Sequence, residues 1–398
     1  MNQLKIAVIG GSLGGVSAAC LLRDAGHEVD VYERSPVELE QRGAGIGFLK
    51  ASYRYLVERA GIDLDAISIS TSSIIYLGRN DEVVHQSHHP YRFSSWNTVY
   101  QRLMESFGRD RYHLNKGSSR VDEKDHSVSV TFEDTSSVDV DLVVAADGIR
   151  STTRHQLLPD VVPQYAGYVA WRGTIAEKDL PSDIVARLGD AITYYVFANS
   201  HILMYPIPAL DGSVDIGRRL FNFVWYRNYL DGGELEDLMT DVDGELRSVS
   251  VPPGVVAKHH VDEMRATAHA RLPRSISEVV RRVEHPFLQV VYDIEVPRMR
   301  HGRICLIGDA AFAVRPHAAA GTAKAAEDAW SLYRHLQNSE SLDAALTDWE
   351  SDQLALGASL LSRTRSIGAR SQTDNNWEPG DPELIFGLHT PGDAEPGS

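Results

Sequence analysis

Cysteine is nearly absent: Cys20 and Cys305 are the only two in 398 residues. Two distant thiols exclude a disulfide framework and a thiolate zinc site, and each falls in a segment where a small apolar side chain suffices. Basic charge is also short, with 39 Lys and Arg against 55 Asp and Glu and a formal charge of −16. That balance disfavours a phosphate-backbone partner, so nucleic acid is not expected as a ligand. No apolar run reaches the roughly 18 residues that a membrane span needs. Met1 leads almost directly into a predicted strand, with no signal-peptide pattern. Internal repeats are missing too. The expectation is a soluble, cytoplasmic protein with no membrane partner and no metal.

What the chain does have is bulk. At 43% hydrophobic and 24% charged residues it can bury a large core, as one enzyme-sized body of two interleaved domains. Residues 4–9 form an apolar run, 16–25 have helix-forming composition and 29–33 read as a second strand, which makes a βαβ opening. Helices are predicted at 51–60 and 99–107, and strands at 67–77, at 82–85 and within the apolar run 138–145. From Tyr165 to Tyr229 the pattern turns β-rich, with strands at 192–197, 202–205 and 220–225. Further helices are expected at 321–337 and 342–370. The fold class is α/β: a Rossmann-like nucleotide-binding domain interleaved with a mostly antiparallel β-sheet domain. The expected boundaries are 1–70, 97–160 and 300–372 for the first, 71–96 and 161–299 for the second. An irregular tail, rich in Pro, Gly and acidic residues, covers 373–398.

Two devices for gripping phosphate and ribose stand far apart in this pattern. The first is Gly10-Gly11-Ser12-Leu13-Gly14-Gly15, between a strand and a helix. In such a fingerprint the first glycine makes the turn, the second lets backbone approach a pyrophosphate and the third lets the helix pack closely. Gly10 and Gly15 fit, while Ser12 takes the middle place as the smallest polar replacement. The helix N-terminus favours anions, and Glu33 closes the second strand where a ribose carboxylate is expected. The second device is Gly308-Asp309, at the end of the apolar run 304–307, with a Pro/Gly loop and a helix after it. Together they imply one extended dinucleotide held at both ends, and FAD, bound without a covalent link, is the cofactor expected. Asp147-Gly148 ends a third apolar run, where open α/β sheets bind ligands.

These three motifs, in this order, resemble the flavoprotein monooxygenases of the aromatic-hydroxylase type, and they span most of the chain. Within that family, the loop Arg315-Pro316-His317-Ala318-Ala319-Ala320-Gly321 and the stretch 165–173 look most like the hydroxypyridine hydroxylases, with urate-type hydroxylases related. The resemblance implies cofactor contacts from Gly10, Ser12, Leu13, Gly15, Glu33, Arg34, Gly45, Arg102, Asp147, Gly148, Gly308, Asp309, Pro316, Ala320 and Gly321. It also implies NADH or NADPH as reductant, O2 as oxidant, and hydroxylation of a ring carbon of a small N-heteroaromatic substrate through a flavin C4a-hydroperoxide. Several positions depart from the family: Ala319-Ala320-Gly321 stands for a Gly-Gln-Gly, Ala323 for an asparagine and Phe312 for a histidine. Ser95-Trp96-Asn97 occupies the stretch that often carries an arginine.

Candidates for the substrate base or orienting group are His317, Tyr205, His201 and Asp293. His317 lies in the flavin loop, and a histidine titrates in the useful range. Tyr205 and His201, four residues apart on a strand, share a face. Asp293 falls near the domain interface and reads equally as a salt-bridge partner. Trp171, Phe223 and Trp225 are either pocket walls or ordinary core. A flavin oxidase or dehydrogenase, a non-catalytic flavin-binding redox sensor and a homodimer all stay open at this point.

Overall fold

The structure, a computed structural model, describes residues 3–39 and 45–393. Its first sheet has six strands in the order Arg300–His301, Ile304–Leu306, Leu142–Ala145, Lys5–Ile9, Glu28–Tyr32 and Tyr112–His113. All neighbours run parallel except the first pair. The central strands are apolar because both faces are covered. Ile6, Val8 and Val144 meet the side that carries helices Leu13–Asp24, Trp96–Phe107 and Gly321–Asn338. Ala7, Ile9 and Val143 meet a three-stranded antiparallel sheet, residues Ser118–Glu123, Val128–Phe132 and Ser137–Val140. Cys20 and Cys305 are both buried in this body, and burial pushes the Cys20 thiol up to about 12.

The second sheet has ten strands. Its middle runs Phe287–Glu295, Gln164–Ala176, Leu220–Asn228, Ser200–Ile207, Ala191–Phe197, Ile69–Leu77 and Val83–Ser95. It is antiparallel apart from the parallel pair Ala191–Phe197 with Ile69–Leu77. The strand predicted at 82–85 runs on to Ser95, and Gly45–Gly47 pairs with its far end. Period-2 alternation splits the strands between two faces. Trp171, Phe223 and Trp225 pack outward against the helices Lys258–Arg271 and Arg274–Arg282, so they are core and not cavity wall. The opposite face looks toward the first sheet.

The tail is irregular, as its composition suggests, yet it is packed. Trp377 lies against Tyr194 and His201, and Arg370 pairs with Asp381. The Phe386 N–H donates to the Tyr91 hydroxyl at 2.9 Å while its ring packs tilted against the same tyrosine, centroids 4.7 Å apart.

Candidate functional site

The fingerprint turn is built by steric necessity. Gly10 has φ +97°, and a Cβ there would lie 2.4 Å from the Ala146 carbonyl oxygen; at Gly15 it would lie 1.9 Å from the Gly10 oxygen. Gly11 carries a requirement the fingerprint does not predict. The Tyr112 hydroxyl donates to its carbonyl at 3.0 Å and leaves no room for a side chain. Ser12 precedes the helix Leu13–Asp24 without capping it through its side chain, and no acidic residue sits in the first turn. The helix therefore presents a bare positive end, with Ser12, Leu13 and Gly14, to the cavity. Glu33 is buried; its two oxygens accept from the Gly11 and Ser35 N–H groups, both at 2.8 Å. It lines a hollow of about 380 Å³ beside Arg34, Lys116 and Arg150.

A second hollow of about 370 Å³ continues the first, since Ser12, Ile46, Trp96, Ala146, Gly148 and Arg172 line both. Gly45, Pro316, Ala320, Gly321 and Asp309 form its nucleotide-side wall. Gly308, at φ +58°, donates its N–H to Asp328 at 2.8 Å. Asp328 is fully buried and also accepts from Lys324 at 2.6 Å, so a charge pair within the helix Gly321–Asn338 anchors the turn from below. The Asp309 side chain is open to the cavity but densely surrounded by protein; that burial raises its carboxyl, against the pull of Lys324 and Arg154. Arg154 donates to the carbonyls of Ile149 (2.6 Å) and Ala310 (3.1 Å), tying the Asp147 segment to the Gly308 turn. The helix Gly321–Asn338 starts with no side-chain cap and no acid in its first turn, behind Ala319 at φ +52°.

This donor set fits FAD: two uncapped helix N-termini, two glycine turns that a Cβ would obstruct and a carboxylate at each end of one continuous cleft. Glu33 and Ser12 would hold the adenosine and phosphate side, Asp309 the ribityl side. The Asp147 carboxylate does not face the cleft as a free ligand. It accepts from the Ser151 hydroxyl (2.6 Å) and the Thr153 N–H (3.1 Å), which fixes the start of the next helix; Asp147 and Gly148 both line the first hollow. Arg102 lies outside both hollows, paired with Glu105 on the exposed side of its helix. Trp96, one residue into that helix, reaches the cleft in its place.

The inner face of the large sheet floors the second hollow with Ala170, Arg172, Leu203, Tyr205, Val224, Tyr226 and Gln289. Register brings them together: Ala170 stands opposite both Tyr226 and Gln289, and Arg172 opposite Val224. Tyr205 stacks on Phe93 at 4.0 Å, and burial pushes its hydroxyl up to about 12 although Arg172 opposes the shift. Phe386 from the tail adds an apolar wall. The sequence reasoning missed Arg172, Tyr226, Gln289 and Phe386. The available signals were an arginine within an apolar strand and the cluster Leu384-Ile385-Phe386 in a polar tail.

Three of the four candidate bases sit elsewhere. His317 turns away from the hollow into a buried cluster, its Nε2 2.7 Å from the Tyr168 hydroxyl and its ring 5.2 Å from His201. Gly368 makes the room, since a Cβ there would meet both the Tyr168 hydroxyl and the His317 ring. Burial, with His201 and Arg315 adding to it, drives His317 well below its ordinary pKa. His201 does share a face with Tyr205, but four residues of strand place it about 13 Å along, roofed by Trp377 and held to about 3 by burial. Both imidazoles are therefore neutral and remote from a titrating role. Asp293 is buried between Arg315 (2.9 Å) and Arg365 (2.9 Å), a salt-bridge partner and not a base facing substrate. Tyr205 is the member of the set that lines the cavity.

Comparison with known proteins agrees with this geometry. The NAD(P)-binding Rossmann-like domain family matches residues 8–37, and the FAD binding domain-like family matches residues 165–293. The 2,6-dihydroxypyridine 3-monooxygenase of Paenarthrobacter nicotinovorans is 38% identical over 96% of either chain. The FAD-dependent urate hydroxylase of Klebsiella pneumoniae is 26% identical over 91% of this chain and 89% of its own. The solved structure of 2,6-dihydroxypyridine-3-hydroxylase from Arthrobacter nicotinovorans superimposes with a TM-score of 0.92 at 37% identity, covering 97% of each chain. No helix among the described residues is long and apolar enough to cross a membrane.

Proposed function

The chain belongs to the FAD-dependent aromatic-ring monooxygenases, and from that premise we propose that it hydroxylates a ring carbon of an electron-rich N-heterocycle, a hydroxypyridine ahead of a urate-type ring. Bound FAD supplies the redox chemistry, taking electrons from NAD(P)H and delivering one oxygen atom of O2. The protein's part is to hold, orient and keep dry. Glu33, Ser12 and Asp309 grip the cofactor along its length. The unopposed start of the helix Gly321–Asn338 favours negative charge close to Ala320 and Gly321. We read the six-stranded sheet with its helices as the cofactor-holding body and the ten-stranded sheet as the substrate-holding one.

The observation that carries the substrate class is the composition of the cavity floor. Ala170, Leu203, Val224 and Phe386 are apolar and exclude water, while Arg172, Tyr205, Tyr226 and Gln289 offer a few converging polar groups. A flat, oxygenated ring satisfies both halves of that surface. Tyr205 stays protonated at neutral pH, so it serves as a hydrogen-bond donor that orients a ring oxygen. The same reading places the enzyme in the cytoplasm, where NAD(P)H is supplied. The test is a panel of 2,6-dihydroxypyridine, other hydroxypyridines, urate and methylurates, scored by stimulated NAD(P)H oxidation and by incorporation of labelled O2. A labelled hydroxypyridine product is expected. Stimulated oxidation with no label in any product would replace this reading with an oxidase.

A further inference from the structure

Most buried or half-buried arginines of this protein are spoken for. Arg219 pairs with Glu177 at 2.6 Å, Arg315 pairs with Asp293, and Arg154 donates to backbone carbonyls. Arg172 differs. Among the described residues no carboxylate lies within ion-pair distance of its guanidinium; its bonds go to the neutral Gly45 carbonyl (2.7 Å) and Gln289 Oε1 (2.8 Å). Two of the five N–H donors of a guanidinium are thereby used, the Tyr205 hydroxyl lies within reach of the same group, and the Nε is buried without a partner, which leaves the remaining Nη donors for a ligand. It is the single charge on the seven-residue sheet face that floors the second hollow, on the side across from Asp309 and Gly321. Gln289 and the Gly45 backbone hold it on two sides, so its orientation is set before any ligand arrives.

An always-charged, preorientated fork with spare donors on an apolar floor lacks its natural counterpart, a negatively charged oxygen. We propose that Arg172 is the residue that selects the substrate, by taking an anionic ring oxygen of an ionised hydroxyl or lactam. Tyr205 and Tyr226, the two hydroxyl-bearing rings of the same floor, share that end of the hollow. Both feel the field of Arg172. The inference rests on the ring-hydroxylase reading and sharpens it: the site takes rings that can ionise at oxygen and rejects neutral and cationic ones. Binding of the anionic form also delivers the ring in its more electron-rich state, without a histidine or carboxylate base on the sheet face that floors the cavity.

The experiment compares wild type with Arg172→Gln and Arg172→Lys as FAD-loaded proteins. Ligand affinity for 2,6-dihydroxypyridine and for urate is read from the change in flavin absorbance between pH 6 and 9, and FAD affinity is measured separately by fluorescence. Wild type should bind more tightly as the ligand ionises. Arg172→Gln should weaken binding roughly ten- to hundredfold, flatten the pH dependence and leave FAD affinity within about threefold, with Arg172→Lys in between. Loss of FAD affinity with ligand affinity intact would overturn the proposal and make Arg172 a cofactor-phosphate contact. Unchanged ligand affinity and pH profile in Arg172→Gln would overturn it while leaving the ring-hydroxylase reading standing. If wild type binds urate and not 2,6-dihydroxypyridine, the preference for hydroxypyridines falls and the same comparison on urate decides the role of Arg172. If wild type binds neither, both fall.

Discussion

Replacing Lys324 with methionine removes the counter-charge of a carboxylate that has no access to water. Asp328 is fully buried and accepts from Lys324 and from the Gly308 N–H, and burial already raises it to about 6 with the lysine in place. Glu327, the other acid nearby, adds to that rise and is itself paired with Arg334. Breaking a buried pair costs about 3–5 kcal/mol. For 398 residues the unfolding entropy is on the order of 0.8 kcal/mol/K, so Tm should fall by about 4–6 °C. The pH dependence carries the argument further. An acid whose folded pKa lies above its unfolded one loses stability as pH rises between the two values and is level beyond the folded one. In wild type that window closes near pH 6. Without Lys324 it extends upward, so between pH 6 and 8 the variant should lose up to about 1.4 kcal/mol per pH unit more than wild type. Thermal unfolding at pH 6, 7 and 8 reads this directly, and Asp328→Asn in the Lys324→Met background should level the slope. A Tm loss of the same size at every pH would show that lost packing, not an uncompensated buried charge, is responsible.

Asp309→Ala and Glu33→Ala should each weaken FAD retention, since a charged hydrogen bond contributes about 1.5–3 kcal/mol, roughly ten- to 150-fold in affinity. Fluorescence titration of the apoprotein checks this, and unchanged affinity in both variants would sink the two-ended grip. Gly10→Ala should abolish FAD binding, because its Cβ would strike the Ala146 oxygen. Gly26→Ala, at φ +93° with open space around it, should cost only about 1 kcal/mol and leave FAD affinity unchanged. The ring protons of His201 and His317 should show no titration in NMR spectra between pH 5 and 8, given how far burial lowers both; a midpoint in that range for either would return it to the list of proton carriers. Tyr205→Phe should retain FAD and NAD(P)H oxidation while the oxygen reaching product falls and hydrogen peroxide rises, and full coupling at normal rate would remove Tyr205 from the site.

The glycine turns and the strand-end acid of the cleft, which we assign to the cofactor, are legible because their determinants are local. A strand, a glycine turn and a helix start occupy adjacent residues, so Gly10, Gly15, Glu33 and Gly308 could be read from spacing. The sheet-floored end, which we assign to substrate, is assembled across strands that are neighbours only in the folded sheet. Ala170, Tyr226 and Gln289 meet through register, and nothing in the sequence around Arg172 says that Gln289 will hold it. His317 misled for a related reason. Its loop was placed correctly, but the direction of the ring is set by a gap at Gly368 on a helix far downstream. The tail misled through its average: Trp377 and Phe386 are two apolar residues in a polar stretch, and they are the ones that pack.

The strand order of the six-stranded sheet also dictates when this protein can become itself. Lys5–Ile9 lies directly beside Leu142–Ala145, which in turn lies beside Ile304–Leu306, so the sheet cannot close until the third of these has left the ribosome. At about 5–20 residues per second, Leu142–Ala145 waits roughly 8–32 s for Ile304–Leu306, with that apolar edge unpaired meanwhile. Pairing at such sequence separation is slow. A fragment from either half would lack strands of that sheet and is expected not to fold as an FAD module, and yield in a heterologous host should depend more on protecting the nascent strands than on the stability of the finished enzyme.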